Sequence, residues 1–312
     1  MNGKSRILTW ADFPEDFPPF FLDPAGCTLS IKEIGKGVYA LLSSIPNVDN
    51  AGFVVGEKGV LVIDAHISIP MARQIQERVR EVTDQPILYL VNTNYHGDHT
   101  FGNCAFPETT LVIQHRETAE RVPYMEEEKA FLLPCVGSKP ETFAGVTLRL
   151  PDIVFTDSLR IDLGGQTVEL HWFGPANTPG DTIAYVPSAK AAWTGNMTGG
   201  GTFSLALESD APTFMETLAR FVRTLEVDTL VPAHSPLSGP SVLWGDMAYY
   251  ARLTSAVNKA LSAGWTLQET MERTPLWEEY SPPPTDSRAK LQMARHRYNV
   301  RKTFLSLAGK RG

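Results

Sequence analysis

A short apolar run, Ile87-Leu88-Tyr89-Leu90-Val91, leads almost directly into Thr93-Asn94-Tyr95-His96-Gly97-Asp98-His99-Thr100-Phe101-Gly102-Asn103, and this junction constrains the fold more than any other stretch. The run has the length and character of a buried strand, so the polar residues emerge beyond its carboxyl end, where α/β layers place ligand sites. Two imidazoles and a carboxylate lie between His96 and His99. On a tight turn such a cluster can aim nitrogen and oxygen atoms at one point, and neutral imidazole with carboxylate suits zinc, iron or manganese. A His-x-x-His pair standing alone is better read as an ordinary polar loop, so the rest of the chain has to decide.

Before the junction, Gly37 to Leu42, Gly52 to Val55 and Val60 to Ile63 are β-rich runs separated by Gly, Pro and Asn, as in a strand meander. The period then changes. Met71, Ile75, Val79 and Val82 recur at helical spacing, with Pro70 tolerated in the first turn and Ser68 placed to cap it. After the junction, Thr109 to Ile113 reads as another buried strand, His115 as a structural or rim residue, and Glu117 to Leu132 as a charged helix. The second half repeats this character: Val146 to Leu150, Leu159 to Leu163, Gln166 to Trp172, Thr182 to Val186 and Ala191 to Thr194 read as strands, with Gly164-Gly165 a hairpin turn. A helix over Pro212 to Val227 shows Phe214, Leu218, Phe221, Val222 and Leu225 on one face, and the short strand Thr229 to Val231 follows. Two such halves predict an α/β fold in which two mixed β-sheets pack face to face with helices outside, an αββα sandwich.

Residues 1–30 are rich in Pro and Phe and suit an extended arm, because Pro removes donors and restricts its neighbours. Its aromatics must pack on the body, on a twin subunit or over the mouth of a site, the body being the usual outcome. Residues 240–312 read as a helical extension, Trp244 to Leu261 and Arg288 to Leu307 around Pro282-Pro283-Pro284, which would cover one side of the site or join a homodimer. The expected organisation is therefore an arm at 1–30, a sandwich domain at 31–239 and an extension at 240–312.

Asn94-x-His96-x-Asp98-His99 resembles the His-x-His-x-Asp-His motif of the metallo-β-lactamase-fold superfamily, with Asn at the first position. More of that family's pattern follows in order. Gly174-Pro175-Ala176-Asn177-Thr178-Pro179-Gly180-Asp181 resembles its Gly-x-x-His-Thr-x-Gly-Asp, Thr194-Gly195-Asn196 its Gly-Asp, and Val231-Pro232-Ala233-His234 its Pro-Gly-His. Asp64 fits the Asp that closes an early strand there, and the resemblance runs roughly from Ile31 to Ser238. It implies the αββα fold and, in the family, two metals. Carried onto this chain, the first site would hold Asn94, His96 and Asn177, and the second Asp98, His99 and His234, with Asn196 at the bridging position. One imidazole with two neutral carboxamides is a poor set for zinc, so the first site is expected to hold no metal. Asp98, His99 and His234 remain a two-His, one-carboxylate set for a single dication, zinc foremost, with iron or manganese as alternatives. Without a bridging carboxylate at Asn196, a second adjacent dication is harder to accommodate.

Freed from ligation, His96 is expected to accept a proton at an ordinary imidazole pKa of ~6.5, with Asp98 beside it in the catalytic set. Asn94, Asn177 and Asn196 offer amides to a substrate carbonyl or oxyanion. Asp64 and Asp181 are expected to orient loops and ligands, and Cys104 to be buried. Tyr95, Phe101 and Trp172 lie near the motifs and hint at an apolar or aromatic ligand, Tyr95 as a substrate contact. The expected function is a metal-dependent hydrolase acting on an ester, thioester, lactone or amide of a small substrate. A non-hydrolytic enzyme on the same fold (lyase, decarboxylase, cyclase or non-haem iron oxygenase) and a metal-free binding protein are the alternatives.

Composition sets the outer limits. With 43% hydrophobic and 20% charged residues the chain is an ordinary globular protein. Its net charge of -7 and pI near 5.6 argue against a general nucleic-acid or anionic-membrane surface. No apolar run reaches the ~18 residues of a membrane span, and no basic-then-apolar order marks a signal peptide. Cys27, Cys104 and Cys135 form no C-x-x-C pair and fit a reducing compartment, so the expectation is a cytoplasmic protein.

Overall fold

The computed structural model describes residues 7–199, 203–275 and 289–310. One sheet joins β1 (Leu29–Gly35), β2 (Val38–Ser43), β3 (Ala51–Val55), β4 (Val60–Ile63), β5 (Ile87–Val91), β6 (Leu111–His115) and β7 (Ile153–Phe155) in sequence order. Pairing is antiparallel from β1 to β4 and parallel from β4 to β7. The other sheet contains β8 (Ser158–Asp162), β9 (Thr167–His171), β10 (Ile183–Val186), β11 (Ala191–Gly195) and β12 (Thr229–Pro232), antiparallel except for the parallel β11–β12 pair.

All four residues of β4 are buried because both faces of its sheet are covered. Leu61 and Ile63 face inward to meet Leu170, Ala184, Trp193 and Val231 of the second sheet. Val60 and Val62 face outward against Met71, Ala72, Ile75 and Val79 of α1 (Ile69–Val82), whose first turn is capped by the Ser68 hydroxyl on the Met71 amide at 3.4 Å. After the junction come α2 (Gly97–Thr100), α3 (Arg116–Ala119) and α4 (Met125–Leu132), and after β11 comes α5 (Ala211–Thr224), capped by Asp210 on Thr213 at 2.9 Å. Phe214, Leu218 and Phe221 of α5 are fully buried, each contributing roughly 1.5–3 kcal/mol by area. They pack with Leu243, Tyr250, Leu253 and Val257 of α6 (Ser241–Ser262), and beyond α7 (Leu267–Arg273) the same core takes in Val300 of α8 (Ala289–Gly309). The layers are helix, sheet, sheet, helix, as the two-halved pattern predicts.

Local departures have physical causes. Val146 to Leu150, expected as a strand, is irregular, and the edge strand forms instead at Ile153–Phe155. The Arg149 guanidinium anchors this stretch by donating to the carbonyls of Asn103, Phe106 and Pro107, which competes with a strand ladder. The expected long helix after Glu117 is broken into α3, a 3-10 turn at Val122–Tyr124 and α4, because Pro123 interrupts it. Gly164 and Gly165 do form the β8–β9 turn, both with positive φ (75° and 71°). The arm packs on the body: Phe13 and Phe17 lie in one cluster with Phe131 and Tyr298, and the Trp10 indole donates to the Phe131 carbonyl at 2.8 Å. Residues 1–6 of the arm, Arg288 and Pro282-Pro283-Pro284 lie outside the described residues.

Candidate metal centre and substrate cavity

The loops that leave the sheets at one end of the sandwich converge. Asp64 follows β4, the Thr93 to His99 junction follows β5, Asn196 follows β11 and His234 follows β12. Asp64 takes the left-handed conformation (φ 61°), and its carboxylate accepts from the Thr93 amide (2.8 Å) and hydroxyl (2.7 Å). Opposite, Gly195 also has positive φ, and a Cβ there would stand 2.6 Å from the Thr93 hydroxyl, so only glycine lets the two loops close.

His99 is oriented from behind. Its Nδ1 faces Asp64 Oδ2 at 2.9 Å, which leaves Nε2 pointing at the cluster, 3.7 Å from Asp98 Oδ2. His234 is fixed the same way: Nδ1 donates to the Asn47 carbonyl at 2.9 Å, and Nε2 lies 3.4 Å from Asp98 Oδ2. A fourth group stands beside these three, Asp49, whose Oδ1 is 3.9 Å from His99 Nε2 and 3.7 Å from His234 Nδ1. Asn50 holds it there, since the Asn50 amide side chain donates to the carbonyls of Pro232 and Ser235, both at 2.8 Å, and ties the β2–β3 loop to the His234 loop.

The donor set fits a single cation. One ligand atom from each of Asp49, Asp98, His99 and His234 lies within 4.8 Å of all the others. Tetrahedral ligands about 2.1 Å from a zinc ion are themselves about 3.4 Å apart, close to the separations found. Both Asp49 oxygens, Asp98 Oδ1 and His99 Nε2 are buried without a hydrogen-bond partner, an arrangement that is costly for polar atoms unless a cation satisfies them. Without a cation the clustered groups perturb one another's protonation, and a metal would have to displace the protons they hold. Burial and then the Asp98 charge push the Asp49 carboxyl well above its ordinary range. For Asp98 burial works in the same direction, but the facing His99, His234 and His96 outweigh it and hold the carboxyl below its ordinary range. For His99 burial opposes the charge, yet Asp64 and Asp98 raise the imidazole to about 10. The expected trio of Asp98, His99 and His234 is thus brought together, and Asp49 joins it.

The other side of the site is built differently. Asn94 Oδ1 accepts from the His96 amide at 2.8 Å, its Nδ2 is buried without a partner, and the residue does not line the cavity. Asn177 donates to the Leu205 carbonyl at 2.8 Å, and its Oδ1 accepts from Asn196 Nδ2 at 3.4 Å. Asn177 and Asn196 both line the cavity. His96 also lines it, with Nε2 buried and unpartnered and Nδ1 2.9 Å from Glu128 Oε1 of α4. Its pKa is not the ordinary one expected. Burial lowers it, but the Glu128 carboxylate, helped by Asp98 and Glu208, raises it by more. The sequence reading passed over Glu128, which looked like one more charge on a solvated helix. Asp49 was missed too, because a lone Asp in Pro46-Asn47-Val48-Asp49-Asn50 reads as turn chemistry; an Asp-Asn pair feeding a wholly apolar strand was the only available signal.

The cavity has a volume of about 690 Å³ and carries Asp98, His96 and His234 in its lining. None of the aromatics singled out from the sequence lines it. Tyr95 lies beneath Arg121 (5.9 Å) in a small separate pocket, Phe101 packs edge-on to Phe143, and Trp172 stacks on His115 at 5.0 Å. Phe20 and Phe21 of the arm, Phe131 of α4 and Phe203 take their place. Cys104, expected buried, is half-buried and donates to the Phe101 carbonyl. Asp181 does position a loop, accepting from the Thr178 amide at 2.6 Å, and burial raises its carboxyl to about 7.

Comparison with known proteins places this arrangement. Residues 45–234 match the family model described as the metallo-β-lactamase superfamily. A linear primary-alkylsulfatase from Pseudomonas sp. is 24% identical over 217 residues, covering 58% of this chain and 40% of that protein. The chain therefore spans less than half the length of that relative. Among solved structures, a stereoselective inverting sec-alkylsulfatase from Pseudomonas sp. superposes with a TM-score of 0.67 at 15% identity, covering 90% of this chain and 50% of the other. A metallo-β-lactamase from Pontibacter korlensis gives a TM-score of 0.59 at 16% identity, with 72% and 99% covered. The chain belongs to the metallo-β-lactamase superfamily, and its cluster of Asp49, Asp98, His99 and His234 is a candidate mononuclear metal site.

Proposed function

We propose that the protein is a mononuclear metal-dependent hydrolase that cleaves an ester-type bond, carboxylic or sulfate, in a small amphiphilic substrate. The observation that carries this reading is the group of buried, unpartnered ligand atoms on Asp49, Asp98 and His99, closed by His234 beside an apolar cavity. These four residues would hold one dication. Zinc is the ion proposed, and the two carboxylates with two imidazoles also suit iron(II) or manganese(II). Bound there, the ion would supply Lewis-acid polarisation and a more acidic water.

The chain's own residues supply the rest. His96 presents Nε2 to the cavity and accepts the proton of the attacking water, while Glu128 keeps Nδ1 protonated and the ring in place. Asn196 and Asn177 offer amide groups to the substrate's oxygen, and Phe131, Phe203 and Phe20 take its apolar part. The alkylsulfatase resemblance supports an alkyl ester, and the apolar lining suits one. The test is turnover by zinc-, iron- and manganese-loaded protein on matched octyl sulfate, octanoate ester and octanoyl thioester substrates, before and after chelation. Chelator-sensitive cleavage of one class supports the proposal. Metal-loaded protein that cleaves none of them, or cleavage indifferent to chelation, rejects it.

A further inference from the structure

In a chain whose net charge is -7, the cavity is lined by a single carboxylate among the described residues, Asp98, which already belongs to the metal cluster. Cations are better represented. Lys32 stands exposed at its edge, and Arg295, on α8, lines it from the C-terminal helical layer. No described residue lies in hydrogen-bond or ion-pair reach of Arg295, and its Nε is buried without an acceptor. Its one close neighbour of note is the Phe20 ring, 5.9 Å from the guanidinium carbon, and a ring face attracts a cation without neutralising it.

A half-buried guanidinium without a counter-ion among the described residues is poised to take one up, and its planar fork matches a carboxylate or a similar oxyanion. Among the described residues no internal anion fills that role. The acidity of Arg295 responds to burial first and then to Tyr250, and not to Asp98 or Asp49. Tyr250 is itself buried, with its hydroxyl pushed well above the usual phenol range and donating to the Ser204 carbonyl at 2.6 Å, so it stays neutral. The same cavity has apolar lining, with Phe131, Leu132, Phe203 and Leu207 among it. The cavity thus carries a candidate cation site, apolar lining and a guanidinium on which neither Asp98 nor Asp49 acts.

We propose that Arg295 is an anion receptor and that the substrate is an amphiphile bearing an acidic oxyanion group at the end away from the bond that is broken. The proposal rests on the cavity being the substrate site of the hydrolase reading, but binding at Arg295 does not require the metal. Octanoate and its neutral isostere octanamide are suitable probes, titrated by calorimetry against metal-loaded and chelator-treated protein. The charge-assisted contact makes octanoate bind at least about tenfold more tightly than octanamide in both preparations. Arg295→Gln reduces that preference below about threefold and leaves the melting temperature unchanged or higher, because the charge it removes has no partner among the described residues.

A preference that survives Arg295→Gln, or that vanishes on chelation, overturns the proposal by placing the anion on the metal. Equal affinity for the two probes in the parent protein overturns it as well. Should Arg295→Gln fold poorly, Arg295→Lys retains a cation on a flexible stem; a folded Lys variant is expected to keep part of the preference, and its complete loss would count against an anion receptor. Turnover separates the two readings. A protein that shows the Arg295-dependent preference yet cleaves no ester would retain this inference and lose the hydrolase.

Discussion

The two sides of the site differ in how their polar atoms are satisfied. On one side Asp49, Asp98 and His99 present buried ligand atoms with no partner, and His99 is oriented from behind by Asp64. On the other, Asn177 and Asn196 bond to each other and Asn94 is tied to the His96 amide, and the atoms left unpartnered, Asn94 Nδ2, Asn196 Oδ1 and His96 Nε2, include no carboxylate oxygen. Clustered carboxylates and imidazoles attract a cation; neutral amides do so far less. The difference teaches that this chain keeps one candidate dication site and lines the neighbouring position with neutral amides.

The largest effects are expected where the unpartnered ligand atoms lie. Asp98→Ala or His234→Ala should bring metal content from about one ion per chain to a small fraction of that, with activity falling on the order of a thousandfold or more. Asp49→Asn should weaken metal affinity by on the order of a hundredfold, because it neutralises a ligand while keeping its shape. Elemental analysis after dialysis against a weak chelator measures both. Full metal retention in Asp49→Asn would return that residue to a purely structural role and shrink the site to the trio read from the sequence.

An intermediate effect is expected at the boundary between the two sides. His96→Ala should leave the metal in place and lower kcat by about 10²- to 10⁴-fold, the usual contribution of a positioned base. Glu128→Gln should cost less, about tenfold in kcat with KM little changed, since the amide can still hold the ring but no longer stabilises its charged form. Metal analysis and steady-state kinetics on the same preparations distinguish these outcomes. Loss of metal in His96→Ala equal to that in Asp98→Ala would erase the division between the sides.

The fold was more legible than the site, for a physical reason. Strand and helix periods are carried by many residues at once, so Val60 to Ile63 and the Met71, Ile75, Val79 face announced themselves even where boundaries slipped. Val146 to Leu150 misled because its apolar alternation is outweighed by one side chain, Arg149, reaching four carbonyls of a distant loop, those of Asn103, Phe106, Pro107 and Thr110. Asp98, His99 and His234 were legible because they fall in motifs. Asp49 and Glu128 carry no local pattern; each matters only through the tertiary partner it faces, His99 and His234 for one, His96 for the other. The aromatic lining was misplaced for the same reason: Phe20 and Phe21 are distant in sequence from every motif and reach the cavity only because the arm folds back.

The smallest effect, and the sharpest test of the neutral wall, is Asn196→Asp. This change places a carboxylate at the position where the family has its bridging acid, and if charge alone had kept a second ion out, the variant would gain one. The structure argues that it will not. Asn94 is shut away from the cavity, and Asn177 is engaged with the Leu205 carbonyl, so His96 would be the lone imidazole available on that side, and one imidazole with one carboxylate holds zinc poorly. The Asn196 Nδ2 contact to Asn177 is also lost and replaced by two facing oxygens, which costs about 1 kcal/mol of stability and a few-fold in KM. The expected result is one metal per chain, a slightly lower melting temperature and modestly weaker substrate binding. Two metals per chain in Asn196→Asp alone would show that the wall is an incomplete site lacking only charge, whereas a second metal appearing only after Asn94→His and Asn177→His are added would show that the imidazoles, and not the bridge, set the number of ions.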